Sequence, residues 1–521
     1  MIETTEAKTR LTARYAFLAA IIAVGLFLRC VNIQQGLWWD EIWSTLEYAK
    51  ASSWWYTISQ LGFYFNNHPF YSIACRVSIA VLGESELSVR LPSVCMGVAA
   101  LPVLYILARP LTGTAPALLG MFLLAISAFH IDHSTEARGY AGMMLFALLA
   151  TLFFFKALRN GTARNWLFFI LCTFLGLYCH VYMAQVPFVQ IVCCVLLLVE
   201  QKLRRGQARF MYDGALKHLV LALSIAALAT LAAYAPMLRF FIANAGKVQF
   251  FNADRLPFVV EMYETVLPGF TTMPGMLLYS MLSVCGILYL RRRSVVLCMY
   301  TILVCNVPLL LYLQLNPMFI FKRYFLPALP FILITLACGM EWLARAFRLS
   351  VAGWALFFAA VLSAIMYLQW PAIQHISFEN RQHYREAVAF VEGRAADSEP
   401  LVFAIGHAGS HFSYYAKVPV IVPETFAAFK TQIDSGREVW CLVSAWLPEL
   451  RPAHEPALLY TEDPQHQMIY DYVKANFQRA AKFRAILPTD VYWKPAQTGS
   501  GQSKASGNGY GVQGVKAVGF D

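Results

Sequence analysis

Long apolar runs recur along most of the sequence, and they constrain the fold more than any other feature. A helix that crosses a bilayer needs about 20 predominantly apolar residues, and about eleven runs approach that length. Hydrophobic residues make up 59% of the 521 residues and charged residues only 14%, which excludes an ordinary soluble domain. The predicted spans are 13–29, 91–108, 115–131, 139–157, 165–179, 181–199, 218–238, 274–290, 294–313, 324–341 and 351–369.

The distribution of Lys and Arg predicts how these spans are oriented. With the N-terminus inside, the loops near 109, 156–164, 201–217, 291–293 and 342–350 are inside and carry more Lys and Arg than the longer loops opposite them. That asymmetry is the one expected of cytoplasmic loops. It accounts for the net charge of +11 and argues against a nucleic-acid partner. It also places the 30–90 loop, and everything after 370, on the outer side.

The 30–90 loop is half apolar and contains a second apolar run, 70–82. A transmembrane course for this run would invert every later loop and turn Arg291, Arg292 and Arg293 outward. Helices lying along the membrane surface suit such an aromatic-rich stretch better. We therefore expect interfacial helices here, with a transmembrane helix as the alternative.

The composition becomes soluble after residue 370. A helix is predicted at Arg385–Glu392 and another at 466–480, with short strands at 401–406, 418–422 and 439–446. The sequence therefore predicts three parts: a membrane domain over 1–370, a small outer-face α/β domain over 371–497, and a Gly/Ser-rich disordered tail over 498–521. The fold class is an α-helical polytopic membrane protein with a small C-terminal α/β domain.

Two adjacent carboxylates, Asp40 and Glu41, lie among tryptophans just beyond the first span. Charged groups close to lipid are costly and tend to be paired or functional. A carboxylate could act as a general base that removes the proton of an attacking hydroxyl group. The alternative is an interfacial aromatic belt with two solvated acids at the start of a helix.

Three more polar groups fall on the same predicted side, at residues 66–68, 322–324 and 130–140. His68, after Asn66 and Asn67, could contact a phosphate, ligate a metal or move a proton, or simply cap a helix. Lys322, Arg323 and Tyr324 precede the tenth span, where cations could bind phosphate or reach toward lipid headgroups.

The densest polar segment is 130–140, between the third and fourth spans. Glu136 could supply another carboxylate and Arg138 a phosphate clamp. Asp132 and His133 are weak candidates for a metal site, because the spacing of His130 and His133 is poor evidence by itself. The alternative is an ordinary polar turn that caps the next helix.

Together these groups suit sugar transfer from a lipid phosphate. A base activates the acceptor, cations stabilise the departing phosphate, and the bilayer holds the carrier's tail. A transporter or flippase of lipid-linked sugars is the alternative, although it would need polar groups deep within the spans. A structural membrane scaffold with a soluble sensor domain is a third reading, in which Asp40, Glu136 and Arg323 would lie far apart. The enzyme reading predicts one cavity at the outer interface, lined by Asp40, His68, Glu136 and Arg323.

The chain resembles the GT-C glycosyltransferases of the protein-O-mannosyltransferase and aminoarabinose-transferase superfamily. It looks closest to the bacterial branch that includes the rhizobial galacturonosyltransferases. The resemblance covers about residues 10–370. It rests on Asp40-Glu41, His68-Pro69, Glu136-Ala137-Arg138-x-Tyr140 and Arg323-Tyr324-x-x-Pro327, and on the run SELSVRLPS at 85–93.

This resemblance implies an inverting transfer from a polyprenyl-phosphate-linked sugar at the periplasmic face of a bacterial inner membrane. It implies Asp40 as the base, Glu41 in support and Glu136 as a second acid. Asn67 is neutral where the aminoarabinose branch has an acid belonging to a metal site, which argues against a bound metal here. A divalent metal is kept as the alternative. The acceptor would be a glycolipid, a polysaccharide or a protein. The residues implied to bind the carrier phosphate are His68, Arg138, Lys322, Arg323 and Tyr324.

Overall fold

The chain divides by its internal contacts into two compact units. The membrane unit comprises Met1–Gln34 and Ser44–Phe378, and the C-terminal unit comprises Gln35–Trp43 and Glu379–Asp521. The short segment 35–43, which includes the acidic pair, thus groups with the C-terminal part of the chain. A computed structural model describes residues 2–60, 66–203, 210–244, 255–314, 321–395, 399–405, 409–444, 464–483 and 489–496.

The described part of the membrane unit is almost entirely helical. Three short turns of other helix types interrupt it: a π-helix at Thr45–Ala49 and 3₁₀-helices at Val181–Ala184 and Lys322–Ala328. Helix α2, Trp39–Ser44, crosses the boundary between the two units. The remaining helices are α1 Ile2–Cys30, α3 Trp54–Ser59, α4 Pro69–Leu82, α5 Glu86–Thr112, α6 Thr114–Ile126, α7 Ala128–Thr135, α8 Tyr140–Asn160, α9 Ala163–Cys179, α10 Gln185–Leu203, α11 Ala215–Asn244, α12 Arg255–Val266, α13 Met273–Arg293, α14 Val295–Gln314, α15 Leu329–Ala346 and α16 Val351–Phe378.

A helix occupies each of the predicted spans, but fewer of them are long and apolar enough to cross a bilayer. Among the described residues seven pass, and an eighth passes if a bent pair counts as one span. The predicted spans at α9 and α14 fall among the shorter apolar helices. The seven are Glu86–Thr112, Tyr140–Asn160, Val181–Leu203, Ala215–Arg239, Met273–Arg293, Lys322–Ala346 and Val351–Phe378.

The predicted span 115–131 is formed by two helices, α6 and α7, that pass together as one bent span. The chain bends by 57° between α6 and α7. Ser127 adopts an extended backbone with φ −63° and ψ 117°, and its hydroxyl oxygen accepts from the His130 amide at 3.4 Å. The Ala128 amide donates to Gln369 Oε1 at 2.9 Å. Because amides at a helix start lack partners within the helix, these oxygens stabilise a new start at Ala128.

The apolar run 70–82 forms α4, a helix of 14 residues. At 1.5 Å per residue it is about 21 Å long, which is shorter than the hydrocarbon core of a bilayer. A hydrogen bond links α4 to the start of α5, because the Tyr71 hydroxyl donates to the Val89 carbonyl oxygen at 2.7 Å. Its length therefore favours an interfacial helix over a transmembrane one.

Helices α8 and α15 are the most enclosed spans of the membrane unit. In their most apolar windows, 78% and 83% of the residues are buried. Close packing around α15 depends on glycine, because a Cβ at Gly339 would overlap the Leu282 backbone on α13. By contrast, α16 leaves Val351, Leu356 and Tyr367 exposed, as expected of a helix that lipid covers. The site described below lies where α8 and α15 begin.

The C-terminal unit contains a five-stranded mixed sheet in the order β2-β1-β3-β5-β4. Strand β1 pairs in parallel with β2 and β3, while β5 pairs antiparallel with β3 and β4. Its elements are α17 Tyr384–Arg394, β1 Leu401–Ile405, α18 Gly409–Tyr415, β2 Val420–Ile421, α19 Phe426–Ile433, β3 Val439–Ser444, α20 Pro464–Asn476, β4 Gln478–Phe483 and β5 Thr489–Lys494.

The strands predicted at 401–406, 418–422 and 439–446 correspond to β1, β2 and β3 within the described residues, and the helix at Arg385–Glu392 corresponds to α17. The helix predicted at 466–480 is wrong at its end, because 478–480 begin β4. That strand has no β-branched residue and is stabilised by its pairing with β5, so tertiary contacts outweigh local preference. The tail predicted at 498–521 lies outside the described residues.

Candidate active site

The ring of Tyr140, the first residue of α8, is the centre of a cluster of polar side chains in the membrane unit. Three histidine rings pack against it, with centroid distances of 5.1 Å to His68, 5.4 Å to His133 and 5.4 Å to His180. The guanidinium carbons of Arg323 and Arg138 lie 5.0 and 5.9 Å from the ring centroid. Sequence segments more than 250 residues apart along the chain, 68 and 323, are thereby brought together around one aromatic ring.

Arg138 is 1% exposed and is held by two oxygens. Its Nη1 donates to Ser44 Oγ at 3.0 Å, and its Nη2 donates to Asn66 Oδ1. The next residue, Gly139, must be glycine, because a Cβ there would lie 2.5 Å from the Cys179 carbonyl oxygen and 3.0 Å from His68 Nδ1. The close approach of the α7–α8 turn to His68 therefore depends on the absence of a side chain at 139.

His68 is buried just before α4, and one of its ring nitrogens is satisfied by backbone. Nδ1 lies 3.1 Å from the Cys179 carbonyl oxygen, which can only accept, so Nδ1 carries the proton. Burial, helped by Arg138 and His180, lowers the pKa of His68 well below its usual value, so the ring is neutral. In that tautomer Nε2 offers a lone pair, and it has no hydrogen-bond partner among the described residues. His68 can thus accept a hydrogen bond from an incoming group.

Glu136 follows α7 and is 2% exposed. Its Oε2 accepts from His133 Nδ1 at 3.0 Å, while Oε1 is buried with no partner in the described part of the chain. Since His133 packs against Tyr140, this carboxylate is linked to the cluster through one side chain. A buried carboxylate oxygen without a partner is costly unless a ligand or a proton meets it.

The weak metal candidates Asp132 and His133 are 4.0 Å apart, and His133 is engaged by Glu136. Among the described residues, no three His, Cys, Asp or Glu side chains are arranged to hold a metal ion. A divalent metal is still the alternative that the sequence leaves open.

The residues predicted before the tenth span lie in the 3₁₀-helix that leads into α15. The guanidinium group of Arg323 stacks over the Tyr140 ring and also over the Phe321 ring. Its central carbon lies 4.4 Å from the centroid of the Phe321 ring. Tyr324 stacks on Tyr182 with centroids 3.8 Å apart. Lys322 turns elsewhere and pairs with Glu261 at 3.0 Å. Of these three predicted phosphate ligands, Arg323 and Tyr324 reach the cluster in the chain as described.

His180 is a member of the cluster that the sequence reasoning missed. It lies in the turn after α9, 4.9 Å from His68 and 4.9 Å from Tyr324 between ring centroids. Its Nδ1 accepts from the Tyr182 amide at 3.1 Å. Burial, helped by Arg323 and Arg138, lowers the pKa of His180 to about 3. The available signal was a histidine in a short turn on the outer side, which a count of Lys and Arg ignores.

The acidic pair lies in the C-terminal unit. Asp40 and Glu41 form the first turn of α2, and Glu41 is fully buried. Glu41 Oε2 accepts from the Trp38 amide at 3.1 Å, which caps the helix start. The other predicted site residues belong to the membrane unit, so the single cavity expected from the sequence stays a prediction.

A separate cavity of about 500 Å³ is lined by Lys156, Asn160, Thr162, Arg164 and Asn165. It lies at the end of α8 opposite to Tyr140, about 25–30 Å away along a helix that rises 1.5 Å per residue. It is therefore distinct from the Tyr140 cluster. The cluster itself combines two guanidinium groups, the neutral imidazoles of His68 and His180, and a buried carboxylate, which is a chemistry suited to binding a phosphate beside a reacting group.

The fold of the chain is that of known membrane glycosyltransferases. The structure of ArnT from Cupriavidus metallidurans bound to undecaprenyl phosphate matches with a TM-score of 0.57 at 13% identity, covering 92% of this chain and 98% of that one. Its apo form matches with a TM-score of 0.55 at 13% identity, over 93% and 98% of the two chains. The arabinofuranosyltransferase AftD from Mycobacteria matches with a TM-score of 0.50 at 15% identity, over 92% of this chain and 40% of that one.

A family model described as dolichyl-phosphate-mannose-protein mannosyltransferase matches residues 67–234. No curated protein sequence matches the chain. The chain therefore has the fold of the GT-C glycosyltransferase superfamily, which confirms the fold class predicted from its sequence. The matched residues 67–234 include His68, Glu136, Arg138, Tyr140 and His180.

Proposed function

We propose that the protein transfers a monosaccharide from a polyprenyl-phosphate donor to a glycolipid, polysaccharide or protein acceptor, with inversion at the anomeric carbon. The observation that carries this proposal is the cluster around Tyr140, in which Arg138, Arg323, His68 and His180 converge at the start of two enclosed spans. A similar fold with undecaprenyl phosphate bound supports the class of donor.

The donor's phosphate would bind to Arg138 and Arg323. A guanidinium group can donate two parallel hydrogen bonds to phosphate oxygens, and in a site sheltered from water these interactions are stronger than at a surface. After transfer, the neutral His68 would contribute Nε2 as an acceptor for the singly protonated carrier monophosphate, because the phosphodiester of the intact donor carries no P–OH group. Tyr324, stacked on Tyr182, would form an aromatic wall beside the phosphate.

Asp40 would act as the general base, with Glu41 holding the helix start and Glu136 as the second acid. The acceptor oxygen forms a bond to the anomeric carbon while its proton passes to the Asp40 carboxylate. The bond between the anomeric carbon and the phosphate oxygen breaks, and its electron pair leaves with the carrier monophosphate. The charge that develops on that phosphate is stabilised by the two arginines.

The same proposal includes the location. We place the reaction at the outer face of a bacterial plasma membrane, since the distribution of Lys and Arg puts the segments containing Asp40, His68, Glu136 and Arg323 on that side. A carrier embedded in the bilayer would then deliver its sugar to the interface, where Tyr and Trp side chains are common.

The test uses the full chain in sealed proteoliposomes with a panel of undecaprenyl-phosphate sugars and glycolipid, polysaccharide and peptide acceptors. Release of undecaprenyl phosphate, together with mass-shifted acceptor, is expected for one pair. General-base catalysis contributes about 10²–10⁴-fold, so Asp40→Asn should lower turnover by that order with unchanged folding. Asp434→Asn is the matched control, an exposed acid of the same unit that pairs with Lys430. Sugar-lipid translocation without release of carrier phosphate would favour a flippase and end the proposal.

A further inference from the structure

The segment Gln35–Trp43 folds as part of the C-terminal unit, although the chain on both sides of it belongs to the membrane unit. Its helix α2 has six residues, which is too short to be stable without outside contacts. The direction in which the Asp40 side chain leaves the backbone therefore depends on what holds the neighbouring residues.

Trp39, the residue before Asp40, is held on three sides. Its amide donates to Gln382 Oε1 at 2.6 Å. Its carbonyl oxygen accepts from His411 Nε2 at 3.1 Å. Its indole stacks on the His411 ring with centroids 3.8 Å apart and an angle of 15° between the planes. Both polar backbone atoms of Trp39 and its side chain are thus fixed by groups from the C-terminal unit.

Two further hydrogen bonds fix the part of the segment that precedes Trp39. The Leu37 amide donates to the Tyr415 hydroxyl at 2.7 Å, and the Arg381 amide donates to Gln35 Oε1 at 3.3 Å. His411 and Tyr415 are four residues apart on α18, so they share one face of that helix. This face of α18 is therefore the support on which the segment rests.

We propose that His411, assisted by Gln382 and Tyr415, is a positioning residue that sets the direction of the Asp40 carboxylate, which gives the C-terminal unit a role in the reaction. The inference rests on the proposed function, in which Asp40 is the base. His411 is fully buried, and its Nδ1 lies 3.2 Å from Ser410 Oγ. Because the Trp39 carbonyl can only accept, Nε2 carries the proton and the hydroxyl donates to Nδ1. Burial lowers the pKa of His411 to about 4, so the ring is neutral and keeps this tautomer.

The test compares His411→Ala with His411→Gln in the full chain, using the donor and acceptor that the panel assay identifies. A misplacement of about 1 Å can cost about 100-fold, so His411→Ala should lower kcat about 10- to 100-fold with the donor KM nearly unchanged. A glutamine amide can still donate to the Trp39 carbonyl, so His411→Gln should recover most of kcat. Phe429→Leu, in the core of the same unit, is the matched control for loss of stability alone.

Hydrogen–deuterium exchange gives a readout independent of activity. His411→Ala should speed exchange of the peptide that contains residues 37–43, and Phe429→Leu should not. If wild type transfers sugar and Asp40→Asn does not, but His411→Ala keeps wild-type kcat, the positioning role is overturned while the proposed function stands. Equal losses of kcat in His411→Ala, His411→Gln and Phe429→Leu would also overturn it. If the wild-type protein transfers no sugar at all, the proposed function fails. Slow exchange of this peptide in His411→Ala would then show that His411 does not fix residues 37–43.

Discussion

The two groups of candidate site residues are built in different ways. The Tyr140 cluster gathers side chains from the start of α8, from the 3₁₀-helix before α15, from the residues before α4 and from the turn after α9, all within the membrane unit. The acidic pair lies on a nine-residue segment, Gln35–Trp43, that packs with a small α/β unit. One group is held by enclosed spans and the other by hydrogen bonds to a short helix, α18.

The proposed function gives this difference a chemical rationale. A phosphate on a lipid carrier stays at the membrane interface, so its ligands are best fixed to spans whose cores cannot shift. A base must meet acceptors of different shape, and a separate unit can vary without disturbing the membrane core. We therefore expect substitutions in the Tyr140 cluster to weaken binding of the donor, and substitutions around α18 to slow the chemical step.

The largest expected effect concerns the stability of the C-terminal unit as a function of pH. The pKa of His411 is lowered from 6.5 to about 4, so the unfolded state binds a proton more readily than the folded state. Stability should therefore be undiminished above pH 6.5 and should fall as the pH drops from 6.5 to 4. The total loss is about 3 kcal/mol by linkage. Exchange of peptides covering β1, β3 and residues 37–43 at several pH values measures it.

His411→Gln is the control for this prediction, because it keeps a donor and removes the titration. It should flatten the pH dependence in the C-terminal unit and leave that of the membrane unit unchanged, where His68 and His180 also resist protonation. A pH dependence that persists undiminished in His411→Gln would show that other groups, such as Glu386 with its lowered pKa, dominate.

The sequence predicted most of the membrane architecture because apolar length is a strong and local signal. Each predicted span contains a helix, and the match to GT-C structures confirms the class. The break at Ser127 was missed, because it depends on a hydrogen bond from Ala128 to Gln369, which is 241 residues away in sequence. Strands β4 and β5 were missed for the same reason, since their stability comes from pairing.

Within the candidate site, the type of a residue predicted its place in the Tyr140 cluster better than its neighbours in the sequence did. Glu136, Arg138 and Arg323 are ionisable residues near the ends of predicted spans, which made them candidates. The guanidinium groups of Arg138 and Arg323 both pack against Tyr140. The packing of Gln35–Trp43 with the C-terminal unit could not be predicted, since nothing in that segment signals a partner such as His411. Local patterns select candidate residues by their type, whereas the contacts that orient those residues are non-local.

The second prediction sharpens the donor side of the comparison. Arg138→Gln removes a buried guanidinium group, and hydrogen bonds to charged groups contribute about 2 kcal/mol each. The ratio kcat/KM for the donor should fall about 30-fold, which is that energy expressed as a rate ratio. Arg159→Gln, an exposed arginine at the other end of α8, is the control. An unchanged donor KM and kcat in Arg138→Gln would remove this residue from the phosphate site.

The smallest expected effect concerns His180, and it tests the comparison most directly. Like His411, His180 is a buried neutral histidine bonded to backbone beside an aromatic stack, since its Nδ1 accepts from the Tyr182 amide and Tyr182 stacks on Tyr324. His180→Phe keeps the ring and removes the acceptor, a loss of about 1 kcal/mol. We expect about a fivefold rise in donor KM with little change in kcat, whereas His411→Ala should lower kcat. His218→Phe, at the start of α11, is the control in the membrane unit. If His180→Phe and His411→Ala changed the same kinetic parameter, the two groups would not divide the work between donor binding and chemistry.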